Sequence, residues 1–245
     1  MSDVVFRRRR EIKYLLSPDQ LDEFHRQVGG ILTADRHGGE SGGYYNHSIY
    51  FDSLSGRYGR EKTEGLSLRT KPRIRFYRRL GDFEPLAVFL ELKQRYDDFV
   101  LKERTVTDFD TANALLSPFR SGGVADDGGS AVLAKFHYLR QRHDLRPMVA
   151  VLYRRQAFGC DLFPGLRITF DRTVSATDRT DAATPPEFFH PVLPSNRIVL
   201  EIKYNYRMPD WIAETIHRLE MRQVSISKYV TGLRSVHGAY FAHQD

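Results

Sequence analysis

The sequence predicts an α+β fold in which eight strands form the framework and helices pack outside it and at the C-terminal end. Three observations lead there. Eight segments are rich in β-branched and aromatic residues or alternate with period two. Helix-start signals stand between and after them. On seven of the eight strands, lysine or arginine recurs in one phase.

The strands are expected at 5–16, 44–52, 66–78, 86–96, 99–107, 147–158, 165–172 and 197–205. Ser17-Pro18-Asp19 reads as an N-cap with proline at the first helical position, and Leu21, Phe24 and Val28 follow at helical spacing, so a helix covers 18–28. A helical stretch at 110–142 is broken by the loop Ser121–Ser130, whose four glycines and two aspartates predict mobility. Pro209-Asp210 opens a helix carrying Trp211, Ile212, Ile216 and Leu219, and Ser225–Leu233 forms another. The stretch 173–196, with four prolines, has no usable periodicity and reads as an irregular connection. The 245 residues are read as one domain, 1–245.

Composition narrows the partners. Hydrophobic residues make up 41% of the chain and charged ones 28%, which excludes a disordered polymer. Lys plus Arg outnumber Asp plus Glu by 37 to 31, so an anionic partner is expected. Cys160 is the only cysteine, which excludes an intrachain disulfide or a cysteine-rich zinc site and fits a cytoplasmic protein. No apolar run approaches the roughly 20 residues needed for a transmembrane helix.

Residues two apart on a strand share a face. The first strand therefore sets Arg9, Glu11 and Lys13 against Ile12, Tyr14 and Leu16, and the third sets Arg73 and Arg75 against Ile74 and Phe76. Glu91, Lys93 and Arg95 oppose Leu90 and Leu92 on the fourth; Lys102 and Arg104 oppose Leu101 and Glu103 on the fifth. Arg155, Arg167 with Thr169, and Glu201 with Lys203 continue the series. A solvated face normally mixes both signs of charge with neutral residues, whereas here cations dominate. If the strands close into a barrel, the apolar phases pack beneath helices and the charged phases line a lumen. Such a lumen must stay wet or hold an anion, because enclosed like charges lose hydration and repel one another. A linear polyphosphate or nucleoside triphosphate fits it; duplex nucleic acid is too wide. Glu11, Glu91 and Glu201 share the cationic phase, as metal ligands or as internal ion-pair partners.

These residues, in this order, resemble the VTC domain, the polyphosphate polymerase branch of the triphosphate tunnel metalloenzymes related to CYTH domains. The resemblance spans almost the whole chain: RREIKY at 9–14, SIYFDSLSGRYGREKTEG at 48–65, RIRFY at 73–77, LELKQ at 90–94, LKER at 101–104, YRRQAF at 153–158, LRITFD at 166–171, VLEIKY at 199–204, then PDWI and SISKYV. It implies an eight-stranded antiparallel β-barrel, a tunnel that binds ATP and inorganic polyphosphate or tripolyphosphate. It also implies an enzyme that moves the γ-phosphoryl of ATP onto a growing polyphosphate with Mn²⁺ or Mg²⁺. By motif, Lys13, Arg73, Arg75, Lys93, Lys102, Arg155, Arg167 and Lys203 bind phosphate, with Arg104 in phase beside them and Lys228 added from the C-terminal helix. Arg73, Arg75, Arg155 and Lys203 are the expected catalytic cations, and Glu201 is the first metal candidate, with Glu11 and Glu91 behind it. Arg9 stands where the hydrolytic CYTH pattern has a carboxylate, which favours polymerase-like chemistry. A triphosphatase or polyphosphatase of the same fold and a non-catalytic polyphosphate or nucleotide sensor are the alternatives.

Overall fold

A computed structural model describes residues 3–7, 9–35, 42–96, 99–117 and 130–241. The chain opens with β1 (Asp3–Arg7) and β2 (Arg9–Leu16), passes through α1 (Pro18–Val28) and β3 (Thr33–Ala34), and returns as β4 (Tyr44–Asp52). After α2 (Arg57–Thr63) come three consecutive strands, β5 (Leu68–Arg78), β6 (Pro85–Tyr96) and β7 (Phe99–Thr107). Next are α3 (Phe109–Leu116), α4 (Ala131–His143), β8 (Arg146–Gly159), β9 (Arg167–Thr177), β10 (His190–Pro191) and β11 (Ile198–Asn205). α5 (Asp210–Arg218) and α6 (Lys228–Phe241) complete the described chain.

The long strands form one antiparallel sheet in the order β1-β7-β6-β5-β4-β8-β9-β11-β2, with β10 paired to β9 and β3 to β8. This order starts and ends on adjacent stretches of the chain. β1 pairs with β7, β2 pairs with β11, and only residue 8 lies between them. One run of chain therefore ties the two margins of the sheet together, and the sheet curls around a lumen. Lys93 of β6 reaches Glu11 of β2 across that space at 3.4 Å, although the two strands are not neighbours in the sheet.

The outward phases build the core. Tyr14, Leu16, Phe170, Leu200 and Ile202 pack with Leu21, Phe24 and Val28 of α1 and Ile212 of α5. Ile74, Phe76, Leu90 and Leu92 pack with Leu115 of α3 and Phe136 of α4. α1 starts with a capping box: Gln20 N donates to Ser17 Oγ at 3.2 Å, and Ser17 N donates to Gln20 Oε1 at 3.0 Å.

Three expectations change. The strand expected at 5–16 is split at residue 8, because its two halves pair with opposite margins of the sheet. The strand expected to end at 172 runs to Thr177: a register shift between Leu152 and Arg154 breaks the alternation, and Thr173 takes φ +50°, beyond which pairing resumes. α2 lies in a stretch where no helix is expected. Its N-cap is Gly56 without a side-chain bond, and Tyr58 is its one buried large side chain, so neither capping nor periodicity announces it. The loop expected at Ser121–Ser130 lies, apart from Ser130, outside the described residues, as does the side chain of Arg9.

Candidate active site in the lumen

The inward phase of β2, β5, β6, β7, β8, β9 and β11 carries the cations, as alternation requires, and α6 adds Lys228 from its first residue. Two groups of ion pairs organise them. In the first, Asp171 accepts from Arg155 Nε at 2.6 Å and from Nη2 at 2.7 Å, a two-point fork, and lies 2.6 Å from Lys228 Nζ. Glu201 meets Lys228 at 2.9 Å, Lys203 at 3.1 Å, and Lys13 and Arg155 at 3.5 Å each. Burial alone would raise the Glu201 carboxyl; Lys228, Lys203, Lys13 and Arg155 instead hold it well below the usual carboxylate range. Burial likewise disfavours the Lys228 ammonium, but Asp171 and Glu201 raise its pKa above that of an ordinary lysine.

In the second group, Glu91 is fully buried among Arg73 Nη2 at 2.6 Å, Lys102 Nζ at 2.5 Å and Arg75 Nε at 3.8 Å. These cations outweigh burial and keep its carboxyl well below the usual range. Arg73 Nη1 donates to Tyr50 Oη at 3.0 Å, and Arg75 Nε donates to Ser48 Oγ at 3.0 Å. Lys102 is poorly compensated. Burial, reinforced by Arg73 and Arg75 and only partly offset by Glu91, pushes its ammonium down to about 8.

Glu11 joins the first group to Lys93 of β6, meeting Lys13 at 3.3 Å, Lys93 at 3.4 Å and Lys203 at 3.8 Å. Beyond it lies Lys71, whose Nζ is 3.1 Å from Ser227 Oγ. Burial and then Lys93, Lys13 and Lys62 drive its pKa well below that of an ordinary lysine. Lys62 of α2 lies 3.2 Å from Ser225 Oγ. Ser227 also accepts from Val230 N at 3.4 Å, so this serine caps the start of α6. Arg167 and Arg104 stand apart from the two ion-pair groups: Arg167 pairs with Asp35 at 2.6 Å, and the Arg104 guanidinium lies 4.9 Å from the Phe89 ring centre.

The amide of Asn46, on β4 in phase with Ser48, and the hydroxyl of Thr169 are buried without a hydrogen-bond partner among the described residues. Water or a ligand oxygen must complete them. The site also contains residues absent from the sequence expectation. Asp171 is in phase with Arg167 and Thr169, Lys71 with Arg73 and Arg75, and Tyr153 with Arg155. Extending each alternation by one step finds all three. Ser48 and Tyr50 lie on the one long strand without an inward cation, so the cationic pattern could not reveal them.

The residues also bear on a divalent cation. Among the described residues no three His, Cys, Asp or Glu side chains converge as a ready-made metal site. Glu11 and Glu201 share Lys13 and Lys203 as neighbours, Glu11 part-exposed and Glu201 buried. Glu11, met only by lysines at 3.3 to 3.8 Å, is the freer of the two to give an oxygen to a hard cation, whereas Glu201 would have to exchange some of the four cations around it for the metal. Glu91 fits less well, since Arg73 and Lys102 already take up its oxygens.

The VTC domain profile matches residues 8–237. The chain belongs to the VTC domain family. Subunit 4 of the vacuolar transporter chaperone complex from Trypanosoma brucei brucei is 26% identical over 228 residues, covering 78% of this chain and 28% of that protein. The VTC chain thus spans under a third of the length of this curated relative. A candidate adenylate cyclase from Bacillus halodurans has the same fold, with a TM-score of 0.53, 14% identity, and coverage of 91% of this chain and 95% of its own. Among the described residues no helix of the VTC chain is long and apolar enough to cross a membrane.

Proposed function

We propose that the chain is a polyphosphate polymerase-like phosphotransferase that works as one domain in the cytoplasm. It holds ATP and a linear polyphosphate in the lumen and passes the γ-phosphoryl group to the growing chain. The observation that carries this reading is the charge imbalance inside the sheet. Lys13, Lys71, Arg73, Arg75, Lys93, Lys102, Arg155, Lys203 and Lys228 face four carboxylates, Glu11, Glu91, Asp171 and Glu201. A chain of phosphates offers one charged acceptor after another along such a path, and its oxygens would also accept from the unpaired Asn46 Nδ2 and Thr169 Oγ1.

Phosphoryl transfer between two phosphates needs positioning and charge neutralisation rather than a side-chain nucleophile. Arg75, held by Ser48, and Arg73, held by Glu91 and Tyr50, present fixed donors to the transferred group. Arg155, Lys203 and Lys228, gathered around Glu201, fix the phosphates on the other wall. The terminal oxygen of the bound chain attacks in line, and the bond from the γ-phosphorus to the bridging oxygen of ADP breaks. Mn²⁺ or Mg²⁺, held by Glu201 and Glu11, would neutralise phosphate charge when bound.

Incubation with ATP and Mn²⁺ tests the assignment. Long-chain polyphosphate with equimolar ADP, lost on chelation, is the expected outcome. Free phosphate would make the protein a hydrolase, and thermal stabilisation without turnover would make it a sensor.

A further inference from the structure

A second polar cluster lies outside the lumen, on the outer face of β4 and β5. His47 is fully buried there and Arg78 nearly so. His47 stands opposite Phe76 across the β4–β5 pair and Arg78 opposite Tyr45, so the two are diagonal neighbours on one face. Both meet the same two rings. The His47 imidazole lies 5.4 Å from the Phe76 ring centre and 6.1 Å from that of Phe83, and the Arg78 guanidinium lies 5.1 Å and 4.5 Å from them. The connection from β9 to β10 covers the cluster: its Phe189 ring meets His47 edge-on at 5.4 Å, and its Ala182 carbonyl accepts from Arg78 Nη2.

This cluster is short of both partners and negative charge. Arg78 Nη1 donates to Phe83 O at 2.8 Å, but Arg78 Nε and both ring nitrogens of His47 have no hydrogen-bond partner among the described residues. Burial pushes the Arg78 guanidinium down to about 10, and the exposed Glu84 opposes this only in part. Asp181, next to Ala182, accepts instead from Thr184 Oγ1 at 2.6 Å. Burial, reinforced by Arg78, pushes His47 down to about 3, so its imidazole is neutral and has one N–H to give. The two phenyl rings ease the burial of the cation but carry no net charge. Water would satisfy the free donors and leave the charge uncompensated; a small anion does both. We propose that Arg78 Nε and one nitrogen of His47 hold a monovalent anion, chloride, between the outer face of the sheet and the β9–β10 connection. The site shares no residue with the lumen and does not depend on the polyphosphate reading.

Chloride titrations at constant ionic strength, with gluconate as the anion replaced, test it. The wild type should show a saturable rise in Tm of about 2–4 °C. In crystals grown with bromide, an anomalous peak should stand beside Arg78 Nε and the His47 ring. His47→Phe keeps a flat ring among Phe76, Phe83 and Phe189 and removes the donor. It should weaken chloride about tenfold or more. Arg75→Met, which alters the lumen, should keep the rise. A chloride effect unchanged in His47→Phe, or lost in Arg75→Met, would place the anion in the lumen and overturn the site. Water where the bromide peak is expected would overturn it as well, as would a peak with no saturable rise in Tm, an adventitious ion only.

Discussion

Arg155 and Arg75 are both buried arginines in phase on a strand, but their surroundings give them different roles. Arg155 neutralises Asp171 through two short bonds, and Asp171 is completely buried. Arg155→Met would leave that carboxylate with Lys228 alone and should cost about 3–5 kcal/mol of stability, read from urea unfolding. Arg75 is bound by Ser48 and lies farther from Glu91, which keeps Arg73 and Lys102 as closer partners. Arg75→Met should therefore lower transfer by about a hundredfold or more with a smaller shift in the unfolding midpoint. Lys102 gives the site a pH dependence. Its pKa in the free protein is depressed to about 8, and a bound phosphate favours the ammonium form. Below pH 8 the ammonium is already present; above it, binding must take up a proton. Tripolyphosphate affinity should thus fall as pH rises past 8, by up to about tenfold per unit, and Lys102→Arg should flatten the profile in calorimetric titrations. Alternation alone reveals most of these residues, because a strand exposes its phase in the sequence. It does not reveal which carboxylate each cation meets, since Arg155 to Asp171 and Lys228 to Glu201 depend on strand register and on the seating of α6.

α6 has to come close to the sheet to deliver Lys228. A Cβ at Gly232 would lie 3.0 Å from Val151 Cγ2, 3.1 Å from Ala176 Cβ and 3.4 Å from Val149 Cγ2, so the helix backbone sits directly on β8 and β9. Tyr229 adds an anchor by donating its hydroxyl hydrogen bond to Asp52, whose carboxylate also receives Tyr58 N and Gly59 N at 2.9 Å each. Gly232→Val should destabilise the protein by about 1–3 kcal/mol in urea unfolding. It should also weaken tripolyphosphate by moving Lys228 away from Asp171 and Glu201. The elements differ in how readily their sequences announce them. α1 carries its capping box and an apolar stripe, and the long strands carry period two, so their positions are readable from local chemistry. α2 has neither signal, and its helical form is fixed from outside by the Asp52 carboxylate that gathers its first amides. The join between β1 and β2 is equally silent. No local feature tells one strand to pair with β7 in its first half and β11 in its second.

Closing the sheet on its charged phase exchanges the usual inside and outside, and the whole molecule must then carry its polar network at the centre. Glu11, Glu91 and Glu201 all titrate well below an ordinary glutamate because buried cations surround them. Groups with depressed folded pKa values contribute stability that is fully present above the unfolded value, about 4.3, and lost as pH falls through the folded one. The urea midpoint should therefore hold down to about pH 4.5 and drop steeply below it; a flat profile to lower pH would show that these carboxylates are not charged in the folded protein. The surplus of cations acts in the opposite sense. Lys71 and Lys102 are held below their ordinary pKa by burial and by neighbouring cations, which marks a lumen strained by its own positive charge when no anion is present. An anion that enters should relieve this strain throughout the barrel, because the lumen is walled by strands from both margins of the sheet. Tripolyphosphate at about a hundred times its dissociation constant should add about 2.7 kcal/mol to unfolding, seen as a rise in Tm. That gain should shrink as salt is raised, since screening weakens the same attraction. It should be reduced in Arg75→Met at matched ligand concentration. An unchanged gain in that variant would move the bound anion from the lumen to the outer surface.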